Sequence, residues 1–428
     1  MLYRKMMGEI PVNLSEKLNE NRAFPHVRRR QPRESGGNKP SNPNWPHCDH
    51  EPVSYDDFVK TGRVSMTQAM DALRPVSIVD VRDGGTLRHA SESAERARAL
   101  RDDCLAFFPA FARPLVPLFD HIARRWLSRS HSPYVGEVSA IAATLGFSGV
   151  WFLNGSYQWG CTALAREEDG APWLARTLDW PFPGLGRHVE IAHCAGSAGA
   201  FYSVTWPGYV GALTAMAPGR FAAAINQAPL YRRTRHPWLR PYDLAANAIG
   251  TWALRYMPPD QLLRSVFETC ESYEDARRML ETTPIARPAI FTLAGCRPGE
   301  SCVIERREEG FLTRERETVA ANDWHESREP WEGRIASHLL LKCTYPEARE
   351  NSRNRRAKLS GFDGRFGDGP FTWVAEPVLN RCTRLAVEMC PAEGILRVAG
   401  YDPVPGHALP QRVTEISEVI ATREPVAA

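Results

Sequence analysis

The chain has 428 residues, 43% hydrophobic and 24% charged, with a net charge of +3. That balance belongs to an ordinary folded protein, and so small an excess of positive charge calls for neither a nucleic-acid partner nor an acidic membrane surface. No apolar run approaches the roughly 20 residues of a membrane-spanning helix, and charges and a proline stand where a secretory apolar segment would lie, so the expectation is a cytoplasmic protein without an integral membrane segment.

Residues 1–52 read as a disordered basic arm: from Asn21 on they are rich in Arg, Pro, Asn, Gly and Ser, with no hydrophobic period. The run His47, Cys48, Asp49, His50, Glu51 holds metal-ligand types, but five consecutive residues lack the spacing that closes a tetrahedral site. Residues 53–135 are expected to form a separate helical region, because "ESAERARALRDDCLAFFPAFARPLVPLFDHIARRWLS" alternates charged and apolar faces near a period of 3.6, broken by prolines. A short helix over "GEVSAIAATLGFS" then opens a domain expected to run from 136 to 428. Six short apolar or alternating runs follow, from "CTALA" to "RFAAAINQAP", and in succession they predict one antiparallel sheet with Cys161 on its first strand. Helical pattern returns over Pro241 to Thr283, with start signals at "PPDQLLRSVFE" and "SYEDARRMLETT". Further strands, "AIFTLAG" to "TVAANDW" and "GILRVAG", suggest a layered body whose second sheet comes from the C-terminal part.

The ten cysteines are unevenly spaced without CxxC pairs, which fits free thiols in a reducing compartment. Cys161 stands out because it sits where a loop becomes an apolar strand, with Arg176 and Asp179 one hairpin later. A guanidinium near a thiol favours the thiolate, and a carboxylate can orient an amine or an imidazole. On a strand Arg176 and Asp179 point to opposite faces, although a turn at Pro181 offers a way to bring both to one end. No histidine occupies a matching strand-end position, His188, His193 and His325 being the nearest candidates for a Cys–His dyad. The alternative base is the α-amino group that Cys161 would gain if the Gly160–Cys161 bond were cut, since such a group titrates at about 7.7–8.0.

From Glu137 to about Tyr401 the pieces "EVSAIAATLG", "CTALA", "ARTLDW", "GYVGALTAMAPGRFAAAINQ", "GESCVIER", "ANDWHES" and "VLNRCTRLAVEMCP" stand in order. In this series the chain resembles the acid ceramidase and N-acylethanolamine acid amidase branch of the choloylglycine hydrolase superfamily. The resemblance implies an α+β fold, the four-layer αββα sandwich of N-terminal nucleophile hydrolases, and cleavage of a linear amide C–N bond. It implies that Cys161 is the nucleophile, freed by self-cleavage, and that Arg176 and Asp179 are the pair contacting its thiol and amine. Asn322 matches an asparagine of the oxyanion hole, and Arg334 matches a second arginine of the catalytic site. The other oxyanion position falls in "INQ", where the family pattern is "INER", so Asn226 and Gln227 both remain candidates.

The expected activity is therefore hydrolysis of a lipid-like N-acyl amide through a cysteine acyl-enzyme, with no metal or organic cofactor. The substrate would be ceramide-like, N-acylethanolamine-like or bile-salt-like. Acyl transfer to an amine on the same fold, and lipid binding without turnover, are the rivals. Trp159, Trp180, Trp206 and Tyr209 would suit an acyl-chain pocket, or else simply the core. The oligomeric state is not legible.

Overall fold

The structure, a computed structural model, describes residues 73–156, 160–316, 318–326, 329–334 and 345–421. The expected basic arm, with its His47–Glu51 cluster, and Trp159 lie outside the described residues. A short strand β1 (Ser77–Asp80) precedes helices α1 (Gly85–Glu92), α2 (Ala94–Ala106), α3 (Val116–Leu127), α4 (Val135–Leu145) and α5 (Val150–Gly155). The six apolar runs become β2 (Gly160–Glu168), β3 (Ala171–Asp179), β4 (Glu190–Gly196), β5 (Gly199–Thr205), β6 (Thr214–Ala217) and β7 (Phe221–Gln227). A short β8 (Leu230–Tyr231) leads to α6 (Arg240–Ala253), α7 (Pro259–Thr269) and α8 (Tyr273–Thr282). Then come β9 (Ala289–Ala294), β10 (Ser301–Arg306), β11 (Phe311–Arg314), β12 (Val319–Ala320) and β13 (Trp331–Glu332). Helix α9 (Tyr345–Ser360) precedes β14 (Thr383–Cys390), β15 (Ile395–Asp402), β16 (Gln411–Arg412) and β17 (Ser417–Ile420).

Local chemistry explains several of these boundaries. Asp169 and Gly170, both at positive φ, form the two-residue turn that joins β2 to β3. Pro259 opens α7, where its missing N–H is no loss, and the Ser272 hydroxyl caps α8 by accepting from the Asp275 N–H.

The runs predicted as a single sheet are divided between two. One has the order β1-β4-β5-β6-β7-β9-β10-β11; the other has β12-β2-β3-β14-β15, with β16 and β17 both on β15. The C-terminal strands do not make a sheet of their own: β9 to β11 extend the first sheet, while β12 and β14 to β17 flank the β2–β3 hairpin. These are pairings between distant segments, which strand periodicity does not encode. The sheets pack face to face where β2 and β3 meet β7 and β9. Helices α7 and α8 cover the far side of the first sheet, with Phe267 packed between Phe201 and Phe221, ring centroids 5.5 and 4.8 Å away. Helix α9 and the loop after it cover the far side of the second, where Leu359, Phe366 and Trp373 pack on Leu164, Trp173 and Ala386. The layers are therefore α, β, β and α, an α+β sandwich.

The boundary expected at residue 135 is absent. β1 adds to the first sheet in parallel with β4, and Leu100, Trp126, Leu127 and Trp151 enter the main hydrophobic core. Residues from Leu73 onward form one compact unit.

Candidate active site

Cys161 is the first residue of β2 whose side chain points between the sheets, and it is fully buried. Arg176 lies on the same face of β3, since it pairs with Ala163, two residues along from Cys161. Its guanidinium donates to the Cys161 Sγ at 2.9 Å, to the Ile225 carbonyl at 3.0 Å and to the Thr214 hydroxyl. Asp179 pairs with Gly160 and so faces the other side of the sheet. The two residues do not converge on one face; they hold the start of β2 from both.

On the outer face Thr383 donates to Asp179 Oδ1 at 2.8 Å. Strict alternation would turn Thr383 inward with Leu385 and Val387. A register shift between Thr383 and Leu385 rotates it outward to meet Asp179.

β12 lies beside β2 with Ala320 opposite Ala163, which brings Asn322, two residues on, abreast of Cys161. The Asn322 Oδ1 accepts from the Cys161 N–H at 2.7 Å, and its Nδ2 donates to the Gln227 carbonyl at 2.8 Å. Asn226 is buried and bridges the sheets, its Nδ2 donating to the carbonyls of Ala320 and Ala321 at 3.3 and 3.2 Å while Oδ1 has no partner among the described residues. Gln227 reaches the centre through its main chain, its side chain being on the opposite face of β7 from Asn226.

Arg334 is placed differently from the expectation. Its main-chain N–H donates to the Asn322 carbonyl at 2.9 Å, but no hydrogen bond or ion pair links its guanidinium to Cys161 or Asp179 among the described residues. Burial and the neighbouring Arg287 and Arg240 push its pKa down to about 9. A second arginine bound to Cys161, through its main chain, is Arg355 on α9, which the sequence did not single out. It donates to the Cys161 carbonyl at 2.6 Å, the Thr162 hydroxyl at 3.1 Å and the Asn322 Oδ1 at 3.0 Å, and lies 3.6 Å from Asp179 Oδ2. The one signal in the sequence is its spacing. Ala348, Ser352, Arg355 and Leu359 form a buried stripe along the helix, and an arginine stands in a core position of that stripe.

Burial pushes the Cys161 thiol up to about 11, against the pull of Arg176 beside it, so at neutral pH the thiol needs a base. Among the described residues no imidazole hydrogen-bonds to Cys161, whose partners there include Arg176 and the Ile225 carbonyl at the sulfur, Asn322 at the nitrogen and Arg355 at the carbonyl. His188 pairs instead with Asp103 at 3.0 Å, His193 stacks on Tyr202, and the His325 main chain donates to Glu305. Trp180, Trp206 and Tyr209 are core residues: each is buried, Trp206 Nε1 donates to the Leu185 carbonyl, and the Tyr209 hydroxyl donates to Asp260.

No family model matches the chain. Among curated proteins it is 27% identical over 186 residues to the N-acylethanolamine-hydrolyzing acid amidase of Oryctolagus cuniculus, covering 42% of this chain and 49% of that protein. It is 31% identical over 217 residues to the acid ceramidase of Balaenoptera acutorostrata scammoni, covering 45% and 52%. Among solved structures, a Caenorhabditis elegans N-acylethanolamine-hydrolyzing acid amidase ortholog aligns with a TM-score of 0.40 at 17% identity, covering 54% of this chain and 93% of that one. The chain spans about half the length of the curated relatives it matches. In sequence, then, it is similar to N-acylethanolamine acid amidases and acid ceramidases, as its ordered motifs led us to expect.

Proposed function

We propose that the chain is an amidohydrolase that cuts itself between Gly160 and Cys161 and then cleaves the amide C–N bond of a lipid-like N-acyl amide. The observation that carries this reading is the Cys161 thiol, buried under the Arg176 guanidinium at 2.9 Å, with its own nitrogen held by Asn322 at 2.7 Å and no imidazole hydrogen-bonded to the sulfur among the described residues. The base this reading gives such a thiol is the amine that cleavage would release on the same residue.

In the processed enzyme that amine takes the thiol proton as the sulfur attacks the amide carbonyl. The proton passes to the departing amine as the C–N bond breaks, and water then hydrolyses the thioester to release the acid. Arg176 stabilises the thiolate, and Asp179, steadied by Thr383, anchors the first turn of chain around the amine. The developing oxyanion is assigned to the amide groups of Asn322 and Asn226, on the segments that flank Cys161. No metal or organic cofactor enters these steps, and the partner is the small amide itself. The eight described cysteines are all free, which supports a reducing, cytoplasmic setting.

The test is N-terminal sequencing of the purified protein, followed by turnover of a saturated N-acylethanolamine, a ceramide and a glycine-conjugated bile acid. A new terminus at Cys161-Thr162-Ala163 together with release of free acid from one of these supports the proposal. An intact chain with full activity would exclude the amine as base. Acyl transfer to an added amine in preference to water would make the enzyme a transferase, and binding without turnover would make it a lipid carrier.

A further inference from the structure

Beyond the asparagines that flank Cys161, the same end of the sandwich gathers a second set of charged side chains. Arg334 follows β13, and its main-chain N–H donates to the carbonyl of Asn322, the residue that holds the Cys161 nitrogen. Arg287 stands two residues before Ala289, which pairs with Gln227, whose carbonyl accepts from Asn322. Arg240 opens α6, and Glu332 lies on β13, whose partner β8 follows closely after Gln227. The strand pairings thus place these residues at the end of the two sheets where Cys161, Asn226 and Asn322 lie.

Charge is unbalanced there. Among the described residues the charges that act on Arg334 are Arg287 and Arg240, which repel it, and Glu332, which attracts it. Glu332 is already engaged: it accepts from Arg232, which Asp243 also holds at 2.6 Å, and lies 2.9 Å from Arg240. Asp323 packs against Gly333, with its Oδ1 accepting from the Trp324 N–H at 2.9 Å. The Arg334 guanidinium makes no hydrogen bond or ion pair among the described residues, and its Nε is buried without a partner. Residues 335–344, which follow it, include His338 and Lys342 but no Asp or Glu. A half-buried arginine set beside two others, with no carboxylate of its own, is unfavourable by itself and becomes favourable when a ligand brings negative charge. The planar guanidinium suits a carboxylate, which it can bind through two parallel hydrogen bonds.

We propose that Arg334, with Arg287 beside it, receives a carboxylate carried by the departing amine, so that the preferred substrate is an N-acyl amino acid and not a neutral N-acyl amide. The inference rests on the reading of Cys161 as the nucleophile and narrows its substrate class. In an N-acyl α-amino acid the carboxylate is one carbon removed from the scissile nitrogen, close to the groups that hold the reacting carbonyl. At the far end of an acyl chain it would lie a whole chain's length away. Arg334 is one main-chain hydrogen bond from Asn322, which fits the nearer position. The reaction consumes one water: the C–N bond breaks, the acyl carbon takes the hydroxyl, and the nitrogen takes the hydrogen and leaves as the free amino acid.

The experiment compares amides of one acyl chain, N-dodecanoylglycine, its methyl ester and N-dodecanoylethanolamine, on wild type, Arg334→Gln, Arg334→Lys and Arg287→Gln. In wild type, kcat/KM for the acid should exceed that for either neutral amide by about 10–100-fold, the margin of a site whose polar groups go unpaired without the right ligand. Arg334→Gln should remove most of that preference, chiefly through KM, and Arg334→Lys should keep part of it, because the charge remains while the fork is lost. If Arg334→Gln does not fold, Arg287→Gln carries the test and should lower the preference as well. A wild-type enzyme that favours the neutral amides overturns the proposal, as does a preference for the acid that survives in both glutamine variants. Faster cleavage of an ethanolamide bearing its carboxylate at the far end of the acyl chain would overturn the assignment to the amine side. Binding is read separately by calorimetry, with the ketone in which a methylene replaces the scissile nitrogen of N-dodecanoylglycine. This ketone should bind wild type more tightly than its methyl ester does, and equal affinity overturns the proposal. Tight binding of the ketone acid without turnover of any amide refutes the nucleophile reading and leaves the carboxylate site standing, whereas turnover with no preference for the acid refutes the site alone.

Discussion

Cys161 fills a place that a small apolar side chain would also fill, and the two roles separate under substitution. Cys161→Ala keeps most of the packing and removes the sulfur, so the variant should melt within about 1–2 kcal/mol of wild type, as small changes of buried volume do. It should show neither processing nor amide turnover. A fully active variant, or one whose sole defect is unfolding, would remove the thiol from the chemistry. Arg176 permits a finer test. Its guanidinium serves three acceptors at once, a thiol, a hydroxyl and a carbonyl, which an ammonium on a flexible stem cannot match. Arg176→Lys should therefore lower processing and turnover by roughly 10–100-fold, equivalent to about 1.4–2.7 kcal/mol of barrier. Its melting temperature should fall far less than that of a variant that removes the charge. Activity of Arg176→Lys equal to wild type would mark the arginine as packing alone.

The strand runs were legible in sequence because each is apolar or alternating and bounded by Gly, Pro or Asp-Gly, and nearly every predicted run became a strand. Their partners were not legible, since β3 pairs with β14 across some two hundred residues and nothing local records the match. The site divides the same way. Cys161, Arg176, Asp179, Asn322 and Asn226 stand on regular strands or directly after one, where motif order fixes position, and the structure gathers them. Arg334 and Arg355 lie on either side of a break in pattern, and only the fold reveals that Arg355 reaches the Cys161 main chain. The short β8–β13 pair illustrates what an element can demand. Its Glu332 is buried between Arg232 and Arg240, with Arg232 also held by Asp243 at 2.6 Å and Arg240 at 2.9 Å from Glu332. Glu332→Gln leaves these arginines short of a buried counter-charge and should destabilise the protein by about 3–5 kcal/mol. The exposed Arg278–Asp275 pair supplies the control, where Arg278→Ala should change stability by about 0–1 kcal/mol. Urea midpoints for both variants decide whether the β8–β13 pair depends on its charges.

Self-cleavage at Gly160 would divide the molecule between two polypeptides without dividing the fold. The upstream piece carries β1 and α1 to α5, and it is bound to the rest by the parallel pairing of β1 with β4, by His89 against Glu190 at 2.5 Å, and by Glu137 against Arg264 at 2.7 Å. Both pieces should co-elute in gel filtration and separate only in denaturant; independent elution of the processed pieces would contradict so shared a core. The parallel strand β1 has a kinetic consequence. Before the cut, that strand finds β4 within its own chain, and refolding is first order, indifferent to dilution. After it, the same pairing is an encounter between two molecules, so the recovered fraction should fall as the protein is diluted and the unfolding midpoint should depend on concentration. Processing would thus turn a reversible folding reaction into a history: the native form is reached easily once, through the uncut precursor, and after denaturation it has to be found again by collision.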